Sequence, residues 1–230
     1  LNLFKFVKNR FEPVPGIDSA KLDAYYYLTP QPKQSLRAEL ALITRSNNLN
    51  GSQVNLSYFN RNIGRNGSQL QLSGYVGSDV QFSGALKGYN TYRVGGEIVY
   101  ALPRFAIPIL KIKHRGPYAP RTSFKLGYDV LNRQQLYTLN SYRAEYGFTW
   151  KKNLQRVHEL FPVSITYTEP LNVTDEYRAL QATIPGLERA IEPQFILGGR
   201  YQFIFNQLAN NAQPKSAFYF SGVADFSGHI

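Results

Sequence analysis

Tyr92-Arg93-Val94-Gly95-Gly96-Glu97-Ile98-Val99-Tyr100-Ala101-Leu102 reads as one strand. Successive side chains of a strand point to opposite faces. One face here is Tyr92, Val94, Gly96, Ile98, Tyr100 and Leu102; the other is Arg93, Gly95, Glu97, Val99 and Ala101, and carries every charge. Three further segments repeat the partition. Phe124, Leu126, Tyr128 and Val130 oppose Lys125, Gly127 and Asp129. Tyr142, Ala144, Tyr146, Phe148 and Trp150 oppose Arg143, Glu145, Gly147 and Thr149. Phe195, Leu197, Gly199, Tyr201, Phe203 and Phe205 oppose Ile196, Gly198, Arg200, Gln202 and Ile204. Strict period two over such lengths is the signature of a strand with unlike faces.

Weaker alternation runs through Leu36, Ala38, Leu40 and Leu42, through Val54, Leu56 and Tyr58, and through Leu70, Leu72, Gly74 and Val76. It returns at Val163, Ile165 and Tyr167 and at Phe218, Phe220 and Gly222. About nine strands are expected from residue 34 onward. Turn-like stretches separate them at 47–51, 64–67, 83–90 and 206–214.

An all-β chain of this kind is a soluble sandwich or a transmembrane barrel. Sandwich strands average about 5–6 residues, whereas these run about 9–13, near the roughly 9–11 that cross a bilayer at a tilt. Aromatic residues crowd the apolar face as an interfacial girdle would, and the opposite face is polar and Gly-rich like a wet lumen. A mean hydropathy of −0.33 suits a barrel, since only half of each strand meets lipid.

The 230 residues hold 26 Lys or Arg against 15 Asp or Glu, a net charge of +11. The bases are spread singly among aromatics, without zinc-finger spacing or a long basic run, so no nucleic-acid partner is expected. Zero Cys excludes disulfides and thiolate metal sites. His114, His158 and His229 are scattered at positions read as loops and the terminus, and no metal or cofactor is expected. No nucleophile elbow or phosphate-binding Gly loop occurs. Arg93/Glu97, Lys125/Asp129 and Arg143/Glu145 alternate in sign on the inner face and read as a hydrated salt-bridge ladder, not as catalytic groups. The chain is expected not to be an enzyme.

Two stretches depart from the pattern. Residues 1–33 hold strand-like runs at Phe4–Phe11 and Lys21–Pro30, joined by Pro13-Val14-Pro15-Gly16-Ile17-Asp18. Thr174 reads as a helix N-cap, followed by Asp175, Glu176 and the helically spaced Tyr177, Leu180, Ile184, Leu187 and Ile191, with a break at Pro185-Gly186. A short amphipathic helix packed over the barrel mouth is expected. Leu1-Asn2-Leu3-Phe4 reads like the middle of a longer chain.

Lys21-Leu22-Asp23-Ala24-Tyr25-Tyr26-Tyr27-Leu28-Thr29-Pro30, with Lys33-Gln34-Ser35-Leu36-Arg37-Ala38-Glu39-Leu40 after it, resembles a junction of BamA/TamA-type outer-membrane assembly barrels. It is similar to the step from their last periplasmic POTRA domain into barrel strand 1. Asn55-Leu56-Ser57-Tyr58-Phe59-Asn60-Arg61-Asn62-Ile63 resembles the family's second strand and its periplasmic turn, and Phe105 to Arg121, with Tyr118-Ala119-Pro120-Arg121-Thr122-Ser123 at its end, its long turn into strand 5. The resemblance covers most of the chain, but the family's Arg-Gly-containing lumen-loop motif and closing strand are not found.

It implies that residues 1–33 are the C-terminal hairpin of a POTRA domain. Residues 34–230 would then be the first part of a transmembrane antiparallel β-barrel, 16-stranded in the family, the rest of which lies elsewhere. It also implies a bacterial outer-membrane location with the N-terminal segment periplasmic. Residues 47–51, 83–90, 132–139 and 171–192 would face outward, and 63–67, 103–120, 151–160 and 206–214 the periplasm. The two longest of these periplasmic turns are Lys/Arg-rich, which would suit a phospholipid headgroup surface.

The function implied is assembly, insertion or translocation of other outer-membrane proteins through a lateral gate. That gate would be Ser35, Leu36, Arg37, Ala38, Glu39, Leu40, Ala41, Leu42 and Ile43, to whose edge a client strand could add. The implied partners are outer-membrane lipids, unfolded outer-membrane protein clients, and periplasmic or lipoprotein subunits. The alternative is a passive outer-membrane channel or secretion pore with a basic lumen.

Overall fold

The computed structural model describes residues 4–14, 21–44, 49–81, 90–107, 118–183, 191–210 and 217–229. The chain is all-β and antiparallel, with eleven strands and one α-helix among those residues. Strands β1 (Phe4–Pro13) and β2 (Leu22–Pro30) form a hairpin by themselves, registered Val7↔Leu28 and Phe11↔Ala24. The remaining nine form one sheet: β3 (Gln34–Thr44), β4 (Leu49–Ile63), β5 (Ser68–Gln81), β6 (Thr91–Leu102), β7 (Arg121–Arg133), β8 (Tyr137–Lys151), β9 (Arg156–Leu171), β10 (Gln194–Asn206) and β11 (Tyr219–His229). Each strand lies beside its neighbours in sequence, so β3 and β11 are the two edges. They do not pair, and the sheet is open.

Register keeps like faces together. Leu40 lies opposite Val54, Val54 opposite Val76, and Val76 opposite Val94. Val94 continues to Val130, while Phe124 meets Tyr146 at 4.9 Å between ring centroids. The apolar face is the exposed one: Leu126, Val76 and Val94 are each at least half open to the surroundings. The polar face is concave. One cavity on it touches Glu39 on β3, Asn55, Tyr75, Glu97, Asp129 and Arg143 on β8. Strands stand about 4.8 Å apart, so side chains from six successive strands can share one cavity only if that face curves inward.

Strands run past the ends that alternation marks. β4 begins at Leu49 and β9 at Arg156, so parts of the expected turns 47–51 and 151–160 are strand. Polar residues such as Asn50 and Ser52 pair through backbone groups, with no help from side-chain pattern. The β4–β5 turn is tight, with Gly64 and Gly67 at φ of 71° and 77°, which glycine adopts without strain. The expected turn at 83–90 lies outside the described residues except for Asn90.

Helix α1 (Asp175–Thr183) forms where the cap signal places it; Ile184, Pro185, Gly186 and Leu187 lie outside the described residues. The Thr174 hydroxyl accepts from the Tyr177 amide at 3.2 Å, satisfying an orphan donor of the first turn. Tyr177 is buried with Leu136 and Ile191 and meets Tyr137 edge-on at 4.9 Å. The helix therefore packs on the β7–β8 turn at one rim. Among the described residues no helix is long and apolar enough to cross a membrane.

Candidate functional site

Among the described residues strand β3 has a neighbour on one side alone, and its residues Ser35 to Leu40 are exposed on both faces. Leu36 and Leu42 are 75% and 77% exposed, more than any apolar residue of a strand paired on both sides. Hydrogen-bond parity shows what its free edge offers. The Arg61 amide donates to the Lys33 carbonyl at 2.8 Å, and the register continues Ser35↔Phe59, Arg37↔Ser57, Glu39↔Asn55 and Ala41↔Gln53. In an antiparallel ladder bonded and non-bonded pairs alternate. The odd residues therefore bond to β4, while Leu36, Ala38, Leu40 and Leu42 turn their N–H and C=O groups to the open edge. Arg37 and Glu39 form an ion pair on the polar face. Ile43 pairs opposite Gly51 at the strand's far end.

The concave face behind this edge is tied by cross-strand ion pairs rather than by the same-strand alternation expected from sequence. Arg93 pairs with Asp79, Lys125 with Glu145 at 3.0 Å, and Arg143 with Asp129 at 2.5 Å. Asp129 also accepts from the Tyr75 hydroxyl at 2.5 Å. Tyr75 reaches it by lying across Gly95, where a Cβ would stand 2.6 Å from its ring. Phe161 lies likewise against Gly147 and takes Lys125 on its ring at 4.6 Å and Arg200 at 5.0 Å. Sequence reading missed both arrangements, although Gly at inward positions beside a large aromatic was the available signal.

This face is not basic. Between the rims Arg37, Arg93, Lys125, Arg143 and Arg200 point inward, against Glu39, Asp79, Glu97, Asp129, Glu145, Glu159 and Asp225. Among the described residues between the rims, inward acids thus outnumber inward bases on this wall, seven to five. A 270 Å³ cavity in it is lined by Glu145, Phe161, Thr166, Arg200 and Asp225, mixed in sign and open.

His158 is a strand residue, not a loop one. A register shift between Gly198 and Arg200 turns it onto the apolar face, where it stacks on Trp150 at 5.1 Å, and its Nδ1 lies 2.8 Å from the Tyr201 hydroxyl. Among the described residues no group of three or more His, Asp or Glu side chains is placed to hold a metal ion. No known family profile matches the chain, and no curated protein matches it.

Proposed function

We propose that the chain is part of an outer-membrane protein assembly or insertion factor whose nine-stranded sheet belongs to a transmembrane barrel. The observation that carries the reading is the edge of β3, with backbone groups of Leu36, Ala38 and Leu40 turned to the side that no described strand pairs. A client strand of any sequence can bond to such groups, because recognition is by main chain. Strands of 11 to 16 residues are long enough to span a bilayer at a tilt. The exposed apolar face with its aromatics suits lipid, and the hydrated, charge-paired concave face suits a lumen. The exposed hairpin β1–β2 leads directly into β3, as a POTRA end would. In this reading β3 is barrel strand 1, the hairpin is periplasmic, and no chemistry is catalysed.

The test places photo-crosslinkable residues at Leu36, Ala38 and Leu40 of the protein in proteoliposomes supplied with a nascent barrel substrate. Crosslinks to substrate are expected at these positions and not at Leu126 or Tyr128, whose strand is paired on both sides. No crosslinks at β3, together with a steady open-channel current, would replace the proposal with a passive pore.

A further inference from the structure

The sheet has two unlike rims. At the rim where β3 begins, the described turns and the strand ends beside them carry Arg65, Arg104, Arg121, Lys151, Lys152 and Arg156, all exposed. Among the described residues none of them has an ion-pair partner. Between Ile98 and Tyr128, and again between Tyr146 and His158, the sequence has no Asp or Glu at all. The other rim is mixed, with Glu169, Asp175, Glu176 and Glu192 beside Arg133 and Arg178.

Aromatic side chains stand just inside the basic rim on the apolar face. Trp150 stacks on His158, and Phe105 packs against both Phe148 and Trp150 at 5.9 and 6.2 Å. Phe105 gets there because the chain folds back over the wall after β6. Thr122 donates to the Arg104 carbonyl at 2.6 Å and accepts from the Ala106 amide at 2.9 Å, and the Tyr146 hydroxyl donates to the Ala106 carbonyl. A non-strand segment on a lipid-facing wall is tolerated only when its polar groups are satisfied in this way.

We infer that this rim is a collar for anionic phospholipid headgroups, with the aromatics at the acyl boundary and the six bases at headgroup level. The inference rests on the transmembrane reading above and adds its lipid partner. The arrangement favours lipid over an acidic protein because the bases come from three successive turns, β4–β5, β6–β7 and β8–β9. They follow the sheet's edge as a line instead of gathering into the compact patch a protein partner needs.

Trp150 is the sequence's one tryptophan and sits at this rim, so its fluorescence reports the local lipid. The protein is reconstituted in mixed vesicles in which either phosphatidylglycerol or phosphatidylcholine carries brominated chains. Brominated phosphatidylglycerol is expected to quench roughly fivefold more effectively at equal mole fraction. The preference should vanish at about 1 M salt, where screening acts within about 3 Å. Lys151→Gln, Lys152→Gln and Arg156→Gln together should abolish it, whereas Arg178→Gln at the far rim should leave it intact. Equal quenching by both lipids, or a preference that survives the triple substitution, overturns the collar while leaving the barrel standing. No quenching by either lipid would overturn the collar and the transmembrane reading alike.

Discussion

Asp129 is held from two sides, by the Tyr75 hydroxyl and by Arg143, each at 2.5 Å. The arrangement needs Gly95, since a Cβ there would stand 2.2 Å from the Asp129 carboxylate and 2.6 Å from the Tyr75 ring. Both obstacles are side chains, so Gly95→Ala should break the network and leave the strands paired. A loss of about 1–3 kcal/mol is expected for Gly95→Ala and of similar size for Asp129→Asn. The double variant should lose less than the sum, because the two changes remove one shared arrangement. Urea unfolding in vesicles, followed by Trp150 emission, measures all three; strict additivity would separate Gly95 from the network. This contact was not legible in the sequence. Period two assigns a side chain to a face, but says nothing of how far along that face a tyrosine reaches.

At the scale of single elements, β3 is the strand whose two edges can be told apart by substitution. Proline removes a backbone donor, and the residues facing β4 alternate with those facing outward. Under the proposed reading, Pro at Ala38 or Leu40 should spare folding of the sheet and damage client insertion, while Pro at Arg37 or Glu39 should damage folding itself. Heat-modified gel mobility reads folding, and substrate insertion reads the gate; equal damage at both parities would remove β3 from that role. For α1, Thr174→Ala should cost about 1 kcal/mol and speed amide exchange in residues 175–183. Burial pushes the Tyr177 hydroxyl above its ordinary value, and the neighbouring Tyr137 adds to this. Its stabilising share is therefore full below the usual tyrosine range and falls as pH rises through the shifted value. Protection of the α1 amides, referred to base-catalysed intrinsic exchange, should hold at neutral pH and fall only in strong alkali; Tyr177→Phe should remove that fall. Thr174 was readable as a cap because side-chain capping is local. β9 was readable only at Val163, Ile165 and Tyr167. The register shift near Pro162 reverses the parity of His158 and Leu160, so one strand presents two opposed alternations.

The whole sheet was visible in outline from its alternation, because nine long strands with one apolar face leave little choice of class. The polar face as the hollow one and the bases in the turns were legible in the same alternation, but how residues 104–106 are pinned to the wall and which inward charges pair depend on three-dimensional neighbours and carry no period. Polarity adds something further. Nine is an odd number, and every pairing in the sheet is antiparallel. The first and last strands, β3 and β11, must consequently run in the same direction. Joined directly, they would make the sheet's one parallel seam. A strand running the opposite way pairs antiparallel with either margin, and an odd number of added strands, alternating in direction, would close the ring with every seam antiparallel. Under the proposed reading, a guest strand that adds antiparallel to β3 therefore runs from the helix-bearing rim toward the basic one.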